Sequence, residues 1–91
     1  MFKWAEDVDD AHVEAVAAGL DALPEKIPGI QRYVHGADAG VNDGNFDYVV
    51  VGEFVSADDY VTYRDHPAHQ AFIAQLIAGR VVDRSAVQFE S

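Results

Sequence analysis

The run Phe46-Asp47-Tyr48-Val49-Val50-Val51-Gly52-Glu53-Phe54-Val55 constrains this chain more than any other segment. Its density of β-branched and aromatic residues marks a strand. Successive side chains of a strand point to opposite faces. Here the even positions Phe46, Tyr48, Val50 and Phe54 are apolar, and so are the odd positions Val49, Val51 and Val55. Both faces of the sheet that contains this strand therefore ask for burial.

The rest of the chain supplies cover for only one of them. Met1 to Ala5 reads as a short strand. The acidic cluster Glu6-Asp7-Val8-Asp9-Asp10 suits the positive end of a helix, and Val13, Val16, Ala17, Leu20 and Leu23 recur at helical spacing behind it. Pro24, Pro28 and Gly29 are expected to end that helix or break its last turns. Ile30 to His35 reads as a strand stopped at Gly36, and the segment from Ala37 to Asn45 as a loop. Ser56-Ala57-Asp58-Asp59 has the form of a capping box, leading a short helix that carries Tyr60 and Tyr63. Pro67 suits a first helical position and restarts the helix, Phe72, Ile73 and Leu76 form its apolar stripe, and Gly79 closes it. A last strand is expected over Val81 to Phe89.

This order is β-α-β-β-α-β. It predicts a single α+β domain over residues 1–91, ferredoxin-like, with a four-stranded antiparallel sheet and the helices on one face. A chain of 91 residues buries only about 60–65% of the surface exposed by its unfolded form. A second copy of the same sheet is the simplest cover for the bare face, so a homodimer is expected.

Sixteen acidic residues against six basic ones give a formal charge of -10. The six, Lys3, Lys26, Arg32, Arg64, Arg80 and Arg84, are scattered, so no stripe exists to displace counterions from a nucleic acid. The same charge opposes docking on an anionic membrane. Without cysteine there is neither a disulfide framework nor a thiolate metal site. No signal-peptide pattern or spanning apolar run is visible, and a cytoplasmic protein is the default expectation.

The stretch Tyr63-Arg64-Asp65-His66-Pro67-Ala68-His69 is the most distinctive in the chain. Counting from His69 gives Phe72, Ile73 and Leu76 at i+3, i+4 and i+7, which puts His69 on the buried stripe and aims it at the sheet. A buried imidazole needs partners for its ring nitrogens, and a histidine satisfied by the fold is the commoner case. Tyr63 lies one turn and a proline bend earlier, within reach of the same space. The sharper reading makes His69 a general base and Tyr63 a donor to a carbonyl oxygen. Phe72, Tyr48 and His35 are the candidate ligand-contacting residues. His12 and His35 are otherwise expected on solvated or strand-surface positions. His66 and His69 are spaced like metal ligands, but a site needs a third or fourth, and Pro67 favours a capping role for His66. No metal and no cofactor are expected.

Phe2-Lys3-Trp4, Ile27-Pro28-Gly29-Ile30, Gly36 with Asp38, Phe46-Asp47-Tyr48, Glu53-Phe54-Val55-Ser56, and Tyr63 through His69 together resemble the stress-responsive A/B-barrel (Dabb) family. The resemblance covers nearly the whole length, and the His-Pro-Ala-His stretch after a tyrosine is its most specific part. It implies two ferredoxin-like subunits that close their sheets into a dimeric α+β barrel. Many members of the family are known only as stress-associated proteins. A plant member type closes a linear poly-β-ketone by aldol condensation, and its catalytic tyrosine and histidine fall on Tyr63 and His69. A further pocket histidine of that cyclase falls on Tyr48. A histidine usual early in the family's first strand falls upstream of Met1, where this sequence has not begun. The resemblance thus implies a protein that binds a small apolar, phenolic or keto ligand in its barrel. The alternative is a cofactor-free polyketide-cyclase-like enzyme, and more distantly a cofactor-free monooxygenase.

Overall fold

A computed structural model of the chain describes residues 1–90. Strand β1 spans Phe2–Trp4, helix α1 Asp10–Lys26, β2 Ile30–Ala37, β3 Tyr48–Phe54, α2 Ala57–Asp65, α3 Pro67–Phe72 and β4 Val81–Arg84. The strands lie in the order β2-β3-β1-β4, with every neighbouring pair antiparallel. This is the ferredoxin-like arrangement, with the second helical layer bent at Pro67.

Each helix begins on a side chain that satisfies an orphan backbone donor. Asp9 Oδ1 accepts from the His12 N–H at 2.9 Å, Ser56 Oγ from the Asp59 N–H at 3.2 Å, and His66 Nδ1 from the Ala68 N–H at 3.0 Å. Of the three expected breakers, Pro24 is carried inside α1, which ends at Lys26 shortly before Pro28 and Gly29. Pro24 costs a single bond to the Leu20 carbonyl, and its ring sits on the exposed side. The helix then closes with the Ile27 N–H on the Leu23 carbonyl at 3.0 Å.

The core joins Val16, Leu20 and Leu23 of α1 to Ile27, Tyr48, Phe72 and Ile77. Gly19 is what lets the helical layers approach. A Cβ there would lie 2.8 Å from the Phe72 ring and 3.1 Å from Leu76. Beyond Phe72 the helix widens into a π turn over Ile73–Ile77, with the Ala78 N–H reaching the Ile73 carbonyl at 2.8 Å. The wider turn buries Phe72 and Ile77, five residues apart, where α-helical spacing predicts Phe72, Ile73 and Leu76. Leu76 is only half-buried.

Strand β4 stops at Arg84 instead of running to Phe89. Its partner β1 has only three residues, so the chain past Ser85 has no ladder to join, and Val87 and Phe89 stay exposed. At the other end of β1, Asp47 acts as a clamp. Its Oδ2 accepts from the Trp4 N–H at 2.9 Å, while its own N–H donates to the Phe2 carbonyl at 2.8 Å. That clamp sets Phe2 opposite Tyr48. No helix among the described residues is long and apolar enough to cross a membrane.

The two sheet faces differ as the alternation requires. Tyr48, Val50 and Phe54 turn towards the helices. Val34 pairs with Val51 and Gly36 with Val49 on the other face, where Val34, Val49 and Val51 are 42%, 39% and 47% exposed. Opposite charges flank this stripe in register, Arg32 across from Glu53 and Lys3 across from Asp83.

Candidate functional site

Tyr63 sits in the last turn of α2 and His69 in the first turns of α3. The bend between them is tight, with the His66 N–H on the Tyr63 carbonyl at 3.2 Å. It brings the Tyr63 and His69 rings to a centroid separation of 4.3 Å at 37°. The break at Pro67 also leaves the Arg64 carbonyl without a helical partner, and His69 Nδ1 lies 2.9 Å from it. A carbonyl only accepts, so Nδ1 carries the hydrogen, and Nε2 of the neutral ring holds the lone pair. Nε2 has no hydrogen-bond partner among the described residues, and no buried side-chain atom is left orphaned, so it stays accessible.

Both rings open on one cavity of about 110 Å³, walled by Phe2, Tyr33 and Val50 from the sheet and by Tyr63, His69 and Phe72 from the helical layer. The Tyr33 and Tyr63 hydroxyls meet there at 2.6 Å. Burial raises the ionisation of both above the ordinary tyrosine value, most strongly for Tyr33. After burial, their shared hydrogen bond pushes Tyr33 further up and Tyr63 back down. Either hydroxyl can donate in this bond, and with Tyr33 as the donor the Tyr63 O–H is free to point at a ligand.

Of the five candidates from the sequence, Tyr63, His69 and Phe72 are brought together at this cavity. His35 and Tyr48 lie elsewhere on the helix-facing side of the sheet and do not line it. They form a separate chain, with His35 Nε2 2.6 Å from Asp21 Oδ1 and His35 Nδ1 2.7 Å from the Tyr48 hydroxyl. Their rings stack at 5.9 Å and 24°. Burial, and secondarily the Asp21 charge, raises the Tyr48 ionisation. His35 is thus a bonded link between α1 and β3 and not a solvated surface residue. His12 departs from expectation in the same way, since its Nε2 donates to the Leu76 carbonyl at 2.8 Å and its ring stands edge-on to Trp4. His66 is occupied as the α3 cap. Among the described residues no three histidine or acidic side chains cluster to hold a metal.

Sequence reasoning passed over the two other polar residues of the cavity lining, Tyr33 and Arg84. A signal for Tyr33 did exist. Its cross-strand neighbour is Gly52, where a Cβ would lie 3.3 Å from the Tyr33 ring. A glycine inside a strong strand often marks a close approach of this kind.

Comparison with known proteins agrees with this architecture. The model of a family described as Stress Responsive A/B Barrel Domain matches residues 1–91. No curated protein matches the chain. Among solved structures, a dimeric ferredoxin-like protein of unknown function from Thermobifida fusca YX is 42% identical, with a TM-score of 0.89 over 98% of this chain and 83% of that one. A dimeric protein of unknown function and ferredoxin-like fold from Bacteroides fragilis is 28% identical, with a TM-score of 0.79 over 99% and 89% of the two chains. An Arabidopsis thaliana protein shares the fold at 18% identity, with a TM-score of 0.76 over 99% and 93%.

Proposed function

The chain belongs to the family of stress-responsive A/B-barrel domains, and from that premise we propose a homodimer in which each subunit binds a small keto or phenolic compound and moves a proton on it. The homodimer reading draws on the exposed stripe of Val34, Val49 and Val51 and on two similar structures described as dimeric. Closing two such faces on each other forms a barrel and removes the valines from water. A role in stress physiology and a cytoplasmic setting accord with the family's description and the absence of cysteine.

One observation carries the chemical reading. The Nδ1 hydrogen of His69 is engaged by the Arg64 carbonyl, so Nε2 is the basic atom beside the cavity that it shares with Tyr63. Such a base takes a proton from the carbon next to a ketone. The C–H electron pair becomes a carbon–carbon double bond, and the carbonyl π pair moves onto oxygen. The Tyr63 O–H donates to that oxygen as its charge develops. An enolate held this way is the nucleophile of an aldol closure, so the cyclase-like reaction is one outcome of the same step. The test follows deuterium uptake at the carbon next to the ketone of butanone by NMR. Wild type should accelerate uptake, with His69→Ala and Tyr63→Phe each slower by about 10²-fold and still folded. Uptake equal to the protein-free rate would overturn the reading.

A further inference from the structure

The cavity differs in charge from the molecule around it. The chain has sixteen acidic residues and six basic ones. Among the described residues no Asp or Glu lines the cavity, whose polar lining residues are Tyr33, Tyr63, His69 and Arg84. Among the described residues, Arg84 is the one lysine or arginine that lines it. Arg84 also lines the open groove along β4 and the π turn, so it stands where the cavity meets solvent. Among the described residues, no carboxylate is within ion-pair distance of it. Among the described residues that line the cavity itself, every polar side chain is therefore a donor or a base and the single formal charge is positive, with Asp83 on the groove outside. In a protein of net charge -10, a local positive lining of this kind selects anions against the general field.

Size narrows the class further. A closed apolar cavity of about 150 Å³ takes one benzene. Some 110 Å³ therefore admits on the order of five non-hydrogen atoms, with the remainder of any ligand outside at the mouth. Resting on the proton-transfer reading above, we propose that the ligand is a short oxo-carboxylate. Its carboxylate pairs with Arg84 at the mouth, the planar guanidinium matching the carboxylate with two parallel hydrogen bonds. Its ketone reaches inward to the Tyr63 hydroxyl, and the carbon beside the ketone meets His69 Nε2. Leu20 then closes the inner wall around the alkyl end, while Ile73 and Ile77, which the cavity shares with the groove, flank the mouth.

The test uses the full-length protein with pyruvate and acetoacetate as anionic probes and butanone as the neutral one. Two quantities are read by NMR: affinity, from shifts of the His69 and tyrosine ring signals, and deuterium uptake beside the ketone. Wild type should bind both oxo-acids at least about tenfold more tightly than butanone, the scale of a charge-assisted bond. Arg84→Gln should abolish that preference, and Arg84→Lys should restore part of it. Equal affinity for acids and butanone, or a preference that survives Arg84→Gln, would overturn the oxo-carboxylate assignment. If His69-dependent uptake into butanone persists in that case, the proton-transfer reading stands alone. Binding of the acids that depends on Arg84 without any uptake would instead keep the anion assignment and remove the proton-transfer step.

Discussion

The Tyr33 and Tyr63 hydroxyls share a hydrogen bond of 2.6 Å that joins β2 to the end of α2 across the cavity. Their rings are edge-on, 5.8 Å apart at 63°, so each packs as an apolar body while presenting a polar tip. The contact depends on the sheet as much as on the helices. Gly52 leaves the space that the Tyr33 ring fills, and Phe54 supports Tyr63 at 5.2 Å from the other side. Tyr33 thereby acts on the site through Tyr63.

Tyr33→Phe keeps the ring and deletes the hydroxyl that bonds Tyr63. Tyr63 then loses the bond that offsets its burial, so its ionisation should move further up. Deuterium uptake should fall by about tenfold, less than the 10²–10³ of a donor that touches the developing charge. Tyrosinate absorbance under alkaline titration checks the first outcome and NMR the second. A rate loss with no change in the Tyr63 titration would assign Tyr33 to packing alone.

The buried tyrosines also set an alkaline limit on stability. Tyr33, Tyr48 and Tyr63 all ionise above the ordinary value of 10.0 in the folded chain, each chiefly through burial. Below pH 10 both folded and unfolded chains keep these phenols neutral, and the full stability is present. Above it the unfolded chain loses protons that the folded chain retains, so stability falls as pH rises. Urea midpoints measured from pH 9 to 11 should decline, and more steeply for wild type than for the Tyr33→Phe, Tyr63→Phe double variant. Parallel declines would place the ionising groups elsewhere.

Gly19→Ala poses two opposed effects. Alanine improves a helix interior by about 1 kcal/mol, but its Cβ would sit 2.8 Å from the Phe72 ring. That ring is buried and can retreat only towards the cavity that it lines. Overpacking of this kind costs about 1–3 kcal/mol, so a net loss is expected, read as a lower urea midpoint. Because Phe72 lines the cavity, ligand affinity should weaken with it. A rise in the midpoint would mean that the two helical layers slide apart at little cost.

Much of this was legible in the chain because local rules agree with the fold. Alternation over Tyr48 to Phe54 gave the bare valine face, and the spacing from Tyr63 through Pro67 to His69 gave the meeting of the two rings. Most of the misses depend on a partner distant in sequence, and the π turn on a local departure from α-helical spacing. The π turn replaces Leu76 by Ile77 in the core, a change that α-helical counting does not contain. His35 binds Asp21 and Tyr48, and His12 binds Leu76, through a helix–sheet packing that no short window encodes. β4 ends early because β1 is short, so its length was set by another strand. Arg84 reads as an ordinary surface arginine until the fold places it beside Phe2.

The valine face yields the last prediction. Val34, Val49 and Val51 form a contiguous outward stripe bordered by the Arg32–Glu53 and Lys3–Asp83 positions, an apolar centre with a charged rim as stable interfaces have. In a two-fold assembly the stripe meets its own copy, so one substitution changes both sides of the contact. Val51→Glu puts two carboxylates where valines meet, in a chain already at -10. Desolvating like charges without partners is costly, while on a lone subunit the same residue is 47% exposed and tolerates the change. Light scattering at micromolar concentration should give a dimer mass for wild type and a monomer mass for Val51→Glu, with unchanged far-UV circular dichroism. Val51→Ile, which keeps the apolar surface, should remain dimeric. A Val51→Glu protein that still runs as a dimer would move the interface off this face.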